Sequence, residues 1–304
     1  MTLSPEEEAA KAARKAAKKA QKEKEKAEKA ARAALRAQQQ ADVAAASEDD
    51  PLRERYGDAE MVQSRAVTGR VWTPISALGA AKAGESVLVR ARVHNVRGKG
   101  KSAFMVLRDQ TSTVQVTLFV DDVTVSKGMV KYACALSRES IVDVEGTLVC
   151  PEQSIESCSQ SDVEIKAWGV RCISRAAALP FDVVDAARSA EEVRKGAEEG
   201  VQFVTVQQDV RLNSRYVDLR TPANNAIFRV QSMITQLFRE SLLREDFVEI
   251  HTPKLLAGAS EGGAAVFRFK YMGQDACLAQ SPQFYKQMAI CSDFPRVFEV
   301  GPVF

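Results

Sequence analysis

From about Gly84 onward, apolar and polar residues alternate along the chain. Alternation is typical of strands with one buried face, because successive side chains point to opposite sides of a strand. We predict five strands, at 87–94, 103–108, 114–120, 141–149 and 163–173, with a Gly-Lys-Gly-Lys turn after the first and a helix at 125–137. The predicted inward residues of the first three strands are Val87, Val89, Ala91, Val93, Ala103, Met105, Leu107, Val114, Val116, Leu118 and Val120.

Five short strands with a helix between the third and fourth predict an OB-fold, a small barrel whose second and third strands carry the ligand face. We expect that face to expose Arg90, Arg92, Phe104 and Gln115, with Arg97 at the adjoining turn. A cationic rim beside a flat aromatic ring suits an unstacked nucleobase, and Gln115 can both donate to and accept from a base edge. A register slip of one residue would instead bury Phe104 in the core. Glu164 is either an exposed carboxylate or an acceptor for a base amino group.

A second pattern follows a connector at 177–222 that ends in Arg-Tyr-Val-Asp-Leu-Arg at 215–220. Apolar residues then recur at spacings of three and four from Ile227 to Leu242, which predicts an amphipathic helix. A short strand predicted from Phe247 to Thr252 stops at Pro253. Proline cannot donate to a sheet ladder, so this position suits a sheet edge or an interface.

The N-terminal segment at 5–45 consists mainly of Ala, Lys, Glu and Gln, which are strong helix formers. One face of the predicted helix carries a lysine stripe formed by Lys11, Lys15, Lys18, Lys22, Lys26 and Lys29. The segment has few large apolar residues and cannot bury a core face. It is either a solvated helix or tail, or a tether that binds a polyanion with an affinity that falls as the salt concentration rises. The stripe alone does not choose between RNA, DNA and anionic lipid. Residues 46–66 are predicted to be a linker.

The charge distribution, the cysteines and histidines, and the lack of long apolar runs narrow the classes of protein to which this chain can belong. The formal net charge is only +2, but residues 11–40 hold eleven Lys or Arg and three Glu, so this arm would meet a polyanion first. The six cysteines include no C-x-x-C pair and the two histidines, His94 and His251, are far apart, which argues against a disulfide framework and against zinc or multi-histidine sites. No apolar run approaches the ~20 residues that cross a bilayer, and no signal sequence is recognisable. We therefore expect a soluble intracellular protein.

Four motifs in the last third carry a family resemblance. They are Thr-Pro-Lys-Leu at 252–255, Ser-Glu-Gly-Gly at 260–263, Gln-Ser-Pro-Gln-Phe-Tyr-Lys-Gln at 280–287 and Phe-Glu-Val-Gly-Pro-Val-Phe at 298–304. Together they resemble the cytosolic aspartyl-tRNA synthetases of the eukaryotic and archaeal type, which belong to class II, and the resemblance extends over roughly residues 10–304.

The resemblance implies an α+β multidomain protein. Residues 1–66 would be a lysine-rich helical extension and linker, and 67–176 an OB-fold anticodon-binding domain. Residues 177–222 would be a connector, and 223–304 the N-terminal part of an antiparallel-sheet catalytic domain that continues beyond the chain.

The resemblance also implies which residues bind the amino acid. Lys286 would hold the side-chain carboxylate of L-aspartate, because its ammonium would be left unpaired by the neutral amide of asparagine. Gln283 would orient the amino acid. Ser260 and Glu261 would belong to a mobile loop that closes on it, with Glu261 favouring the ammonium of the substrate.

Other implied contacts involve tRNA and a second copy of the chain. Arg97, Phe104, Gln115 and Glu164 match barrel positions that meet the anticodon loop, which favours the outward placement of Phe104. The lysine stripe would contact tRNA. Pro253 matches a proline at a homodimer interface.

The implied reaction is an aspartate–tRNA ligation: ATP activates L-aspartate to aspartyl-adenylate, which is transferred to tRNA(Asp). The family's next residue after Phe304 is an arginine that binds the α-phosphate of ATP. We therefore expect a fragment that ends inside the second class II motif, holds no catalytic residue and no Mg²⁺ ligand, and is inactive alone. Other synthetases are further implied partners, no membrane is involved, and the location would be the cytoplasm. Two alternatives stay open: a non-catalytic nucleic-acid-binding module, or a docking subunit of a synthetase complex.

Overall fold

The computed structural model of the chain describes residues 50–60, 67–257 and 266–304. The lysine stripe, Ser260 and Glu261 lie outside the described residues. The chain divides after Asp182 into two compact units, and each is described by itself. Within the described ranges, no helix is both long and apolar enough to cross a bilayer.

The first unit is a closed five-stranded barrel with one additional strand. Its strands are β1 (Tyr56–Asp58), β2 (Ser86–Lys99), β3 (Ser102–Asp109), β4 (Ser112–Phe119), β5 (Ile141–Val149) and β6 (Glu164–Ser174), and helix α1 (Lys127–Cys134) lies between β4 and β5. β2 pairs antiparallel with both β3 and β5. β6 closes the barrel by pairing antiparallel with β5 and parallel with β4. This architecture confirms the predicted OB-fold.

The barrel core consists of the residues that the alternation predicted to face inward. Each of these positions in β2, β3 and β4 is at most 5% exposed, and Val120, just after β4, packs against them partly buried. Helix α1 adds Met129 and Ala133, and its first turn is capped by Ser126, whose side chain accepts a hydrogen bond from the Met129 amide. Burial of each large apolar side chain contributes about 1.5–3 kcal/mol, so these strands and the helix stabilise one another.

Residues 50–58, predicted as part of a linker, belong to the barrel unit instead. β1 runs parallel to the second half of β6, with Tyr56 opposite Val170. The Tyr56 side chain is 1% exposed, and its hydroxyl donates to Asp50 Oδ2 at 2.9 Å. The same carboxylate accepts a hydrogen bond from Ser126 at the start of α1. A three-residue strand is too short to produce a recognisable period, which is why the pattern did not predict it.

β2 contains a β-bulge between Val93 and Asn95. Before the bulge the odd-numbered residues up to Val93 face the core, whereas after it Val96 packs against the core and Arg97 points outward. A bulge adds one residue to a strand and therefore reverses the alternation beyond it. The bulge lies near the point where β2 changes its pairing partner from β5 to β3.

The second unit contains six helices and five short strands among its described residues. They are α2 (Val183–Ala187), α3 (Ala190–Glu198), α4 (Gln208–Asn213), α5 (Arg215–Asp218), α6 (Pro222–Arg244), β7 (Val248–Glu249), β8 (Leu255–Leu256), β9 (Arg268–Tyr271), β10 (Gln274–Leu278), α7 (Gln283–Cys291) and β11 (Val297–Phe298). β8, β10 and β9 form an antiparallel sheet, and β7 pairs parallel with β11.

Helix α6 is the amphipathic helix predicted from the apolar spacing. It begins at Pro222, a residue that suits the first helical position because that position needs no intrahelical donor. Near its other end, Arg239 forms a salt bridge with Glu249 of β7. No residue of α6 is buried, and Ile227 and Ile234 are about 60% exposed, so the described part of the unit leaves the apolar face uncovered. The predicted strand at 247–252 is limited to two residues.

A salt bridge inside the barrel unit joins β3 to the loop before β5. The Arg108 guanidinium donates to both oxygens of Glu139, at 2.6 and 2.8 Å, and both residues are buried. Both hydrogen bonds come from one guanidinium nitrogen, Nη2, and the two opposite charges compensate each other's loss of hydration.

Replacing Glu139 with Gln should therefore destabilise the barrel by about 3–5 kcal/mol, because the Arg108 charge would stay buried without its partner. Urea unfolding followed by tryptophan fluorescence measures this effect, since Trp72 and Trp168 are the only tryptophans and both lie in the first unit. The matched control is Glu145→Gln, which removes a salt bridge to the more exposed Arg70 and should cost less than about 1 kcal/mol. Equal losses in the two variants would contradict the prediction.

Candidate nucleic-acid and amino-acid binding sites

The outward side chains of β2, β3, β4 and β6 form rows across the barrel, because strand partners in register project on the same side. The central row is Arg97, Phe104, Thr117 and Lys166. On one side of it lie Asn95, Val106, Gln115 and Glu164, and on the other Lys99, Ser102 and Phe119. The four residues predicted to meet an anticodon thus lie in two adjacent rows of one face, and their contact with RNA stays a prediction.

The outward placement of Phe104 is confirmed. Its neighbours along β3, Ala103 and Met105, are fully buried, whereas Phe104 is half-buried on the opposite side of the strand. The Phe104 ring meets the ring of Phe119 edge to face, with centroids 5.6 Å apart and an interplanar angle of 89°. Phe119 is 46% exposed. The sequence argument missed this second aromatic, although its spacing of four residues from Gln115 places it on the same face.

Gln115 and Glu164 form a polar pair beside the ring. The Gln115 Nε2 donates to Glu164 Oε2 at 2.9 Å. Since an ionised carboxylate only accepts hydrogen bonds, this contact fixes which end of the Gln115 amide is the donor. The amide oxygen and the second carboxylate oxygen are acceptors, and they suit the amino or imino donors on the edge of a base. Glu164 therefore lies on the same face as Gln115, and its role as an acceptor for a base amino group stays a prediction.

Cations border this face on two sides. Arg97, Lys99 and Lys101 are exposed near the turn between β2 and β3, and Lys166 is exposed on β6. Among the described residues, none of the four forms a salt bridge. Phosphate oxygens are the natural partners of such cations on a nucleic-acid-binding surface. Lys166 was not identified from the sequence, although it stands two residues after Glu164 and therefore on the same side of β6.

The expectation that Arg90 belongs to the ligand face is wrong, because Arg90 lies opposite Asp143 of β5 and not opposite a residue of β3. Arg92 lies opposite Arg108 of β3, next to the row of Asn95 and Val106, and its contact with a ligand stays a prediction. Arg90 donates twice to the buried carboxylate of Asp143, at 2.7 and 2.9 Å, and its guanidinium lies 4.2 Å from the centroid of the Trp72 ring. The hydrogen bond to Asp143 raises the pKa of Arg90. Arg92 donates to the Glu139 carbonyl oxygen at 3.3 Å. Both arginines precede the bulge; Arg90 pairs with β5 alone, whereas Arg92 lies where β2 pairs with both β5 and β3.

In the second unit, Gln283 and Lys286 lie on helix α7. They are three residues apart and therefore neighbours on one helix face. Gln283 is exposed at the first turn, and Lys286 is half-buried. Because Ser260 and Glu261 lie outside the described residues, the structure does not bring the four predicted aspartate-binding residues together. Pro253 is exposed.

A junction formed by Thr252, Lys254 and Glu299 connects the strands near these residues. Glu299 accepts hydrogen bonds from the Thr252 amide at 3.0 Å, from the Thr252 hydroxyl at 2.8 Å and from Lys254 Nζ at 2.7 Å. The Lys254 carbonyl in turn accepts from the amide of Ala279, just before the motif that contains Gln283. The junction therefore fixes the chain after β11 and the chain before α7 to the same short segment.

The charge of Glu299 is stabilised within this junction. Burial by itself raises the pKa of Glu299, but the hydrogen bonds from Lys254 and Thr252 outweigh it and lower the pKa to about 2. The carboxylate is consequently ionised throughout the physiological range. Sequence analysis did not identify this interaction, because the two partners are 45 residues apart.

No group of three or more His, Cys, Asp or Glu residues in the described ranges is arranged to hold a metal ion. The described residues therefore do not fit a Mg²⁺ site, and we derive no step through a metal from them.

Comparison with protein families divides the chain in the same way as the fold. Residues 87–173 match the OB-fold nucleic acid binding domain, and residues 207–304 match the tRNA synthetases class II (D, K and N). The first match covers nearly all of β2 to β6, and the second includes α6, α7 and the junction.

Individual relatives agree with these matches. The cytoplasmic aspartate–tRNA ligase of Homo sapiens is 50% identical over 257 residues, which are 84% of this chain and 50% of the relative. The solved aspartyl-tRNA synthetase from Entamoeba histolytica is 40% identical, with a TM-score of 0.72 over 82% of this chain and 49% of that chain. Asparaginyl-tRNA synthetase from Pyrococcus horikoshii, complexed with asparaginyl-adenylate, is 26% identical, with a TM-score of 0.61 over 77% of this chain and 48% of that chain. The chain spans about half the length of the curated relatives it matches.

The junction predicts a specific pH dependence. Because the pKa of Glu299 falls from 4.5 to about 2 on folding, its stabilising effect should be complete above about pH 4.5 and lost as the pH falls towards 2. The protection factor of the Thr252 amide in hydrogen exchange should follow this curve. In Glu299→Gln the protection should be lower and should not change over that interval, whereas superimposable curves for the two proteins would contradict the assignment.

Proposed function

Since the chain belongs to the class II tRNA synthetases, as a homologue of the cytoplasmic aspartate–tRNA ligases, we propose that the protein is an aspartate–tRNA ligase. The reaction would be ATP-dependent activation of L-aspartate to aspartyl-adenylate, followed by transfer of the aspartyl group to tRNA(Asp). The observation that carries the tRNA-binding part is the arrangement of Arg97, Phe104, Gln115 and Glu164 on one barrel face.

On that face, affinity and specificity would come from different residues. A base stacked on Phe104 gains about 1–3 kcal/mol whatever its identity, because every base has a π-face. The acceptors of the Gln115–Glu164 pair would select a base by its edge donors. Arg97 would bind the backbone phosphates and so hold the loop in register with the ring.

For the amino acid, Lys286 would provide the charge that distinguishes aspartate from asparagine. Its half-buried position on α7 supports this role, because an ammonium shielded from water interacts more strongly with a carboxylate. Gln283, one turn earlier on the same helix, would orient the amino acid, and Ser260 and Glu261 would close over it.

The remaining partners follow from the family. ATP would be the second substrate, and Mg²⁺, which the described residues do not hold, would neutralise its phosphates. The protein would work in the cytoplasm, as the name of the Homo sapiens relative indicates. Pro253, which is exposed, would lie in a homodimer interface. The lysine stripe would add sequence-independent contacts to tRNA. Association with other synthetases would be a further property of the arm.

Removing the Phe104 ring should weaken RNA binding without changing its salt dependence. We expect Phe104→Ala to lose about 1–3 kcal/mol against a hairpin RNA carrying the anticodon loop of tRNA(Asp), and Phe104→Trp to retain binding. Lys99→Gln should instead reduce the slope of log K against log salt by about 1. Titrations of the labelled hairpin at several salt concentrations measure both effects. Unchanged binding by Phe104→Ala would reject this face as the RNA-binding site.

The role of Lys286 is tested in the complete protein. Lys286→Met should weaken aspartate binding by about 2–5 kcal/mol, because the substrate carboxylate would lose its charge partner inside a closed site. Aspartate-dependent ATP–pyrophosphate exchange gives the KM for aspartate, and the ratio to asparagine gives the discrimination. Lys270→Met is the matched control, since Lys270 pairs with the exposed Asp275 in the same unit and should leave both values unchanged. If Lys286→Met still discriminated against asparagine, another residue would have to read the carboxylate.

A further inference from the structure

Phe119 stands out among the aromatic residues of the barrel. At 46% it is the one exposed Phe, Tyr or Trp within the described residues of the first unit, where the others are buried or half-buried. An aromatic ring left in water forfeits the free energy that its burial would contribute. The core does not require it, because the inward positions on either side, Leu118 and Val120, already pack against the core residues.

The register places Phe119 at the border between the aromatic centre and the basic turn. It lies opposite Ser102 on β3, and Ser102 lies opposite Lys99 on β2. The amide of the next residue, Val120, donates to the Lys101 carbonyl at 3.0 Å, so β4 stays attached to the turn at this point. Two lysines that form no salt bridge within the described ranges, Lys99 and Lys101, therefore lie at the same end of the face as the exposed ring.

The angle between the two rings determines what they can bind. Phe104 and Phe119 are nearly perpendicular, at 89°, with centroids 5.6 Å apart. Perpendicular rings cannot both lie parallel to the same flat base, so a base stacked on Phe104 leaves the free surface of Phe119 to a different group. Successive outward residues along a strand are about 7 Å apart, so that group lies one row nearer to the lysines.

We propose that Phe119 is a second nucleobase-binding residue, which stacks on the nucleotide next to the one held by Phe104. This proposal rests on the proposed RNA-binding function of the barrel face. Phe119 offers a ring and no hydrogen-bonding group, so it contributes affinity that does not depend on base identity, unlike the Gln115–Glu164 pair. Lys99 and Lys101 contact the phosphates of the same nucleotide.

The alternative role for Phe119 is mechanical: its ring could simply hold the Phe104 ring in place. Phe119→Leu separates the two roles, because leucine retains an apolar contact to Phe104 but has no face on which a base can stack. Phe119→Trp retains the stacking face. Because residue 119 is exposed, both variants should unfold at the same urea concentration as the wild type in the tryptophan-fluorescence assay, after allowance for the added tryptophan.

The experiment uses the hairpin RNA with the anticodon loop of tRNA(Asp), in which a fluorescent purine analogue replaces one loop nucleotide at a time. Stacking on a protein ring changes the fluorescence of the analogue at that nucleotide. In the wild type we expect a change on binding at two adjacent loop positions. Phe119→Leu should remove it at one of them, and Phe104→Leu at the other. Each leucine variant should bind about 5- to 150-fold more weakly, and Phe119→Trp should bind like the wild type.

The outcomes distinguish the two levels of the proposal. Suppose that Phe104→Leu removes the fluorescence change at one nucleotide, and that Phe119→Leu removes it at no nucleotide or only at that same one. Phe119 is then not a second stacking residue, and the proposal is rejected. If neither variant changes binding or fluorescence at any position, the RNA-binding function of the face itself is rejected. If the two leucine variants remove the fluorescence change at two different, adjacent nucleotides, the result supports both the RNA-binding face and the role of Phe119.

Discussion

The β-bulge in β2 is the constraint on which the candidate nucleic-acid face depends. Without the added residue between Val93 and Asn95, the alternation of the strand would carry Arg97 into the core and Val96 into water. With it, Arg97 stands in register with Phe104, and the cationic and aromatic parts of the face become neighbours. The bulge also lies near the point where β2 changes its partner from β5 to β3, so the same strand takes part in barrel closure and in the candidate face.

Charged residues of the barrel unit fall into two groups that its geometry separates. Arg90 is bound by the buried carboxylate of Asp143, and Arg108 by that of Glu139. Arg108 and Glu139 are both buried, so the loss of either one would remove the charge that compensates the other. The cations of the outer face, such as Lys166, have no such carboxylate among the described residues and remain available to phosphates. Composition alone does not distinguish these groups, because a near-zero net charge is compatible with any division between them.

In the second unit, one junction of hydrogen bonds, rather than an apolar core, holds together the segments around the candidate site. Glu299 joins Thr252 and Lys254 by three hydrogen bonds, and the Lys254 carbonyl joins the segment that leads into α7. The predicted aspartate-binding lysine on that helix is therefore connected, through the backbone, to a carboxylate that stays ionised at neutral pH. The strands here have two to five residues, so side-chain contacts of this kind hold the segments where ladder hydrogen bonds are few.

The sequence by itself determined the five barrel strands, the inward residues of the first three, the helix α6 and the family, because these depend on local periodicity and on contiguous motifs. It could not determine the position of the bulge, the pairing of β1, the partners of Arg90 or the contact between Phe104 and Phe119. Each of these joins residues distant in sequence, and a one-residue change of register reverses the face of every side chain beyond it. Only the tertiary structure fixes that register, because closure of the barrel decides which residue of the neighbouring strand lies opposite each position.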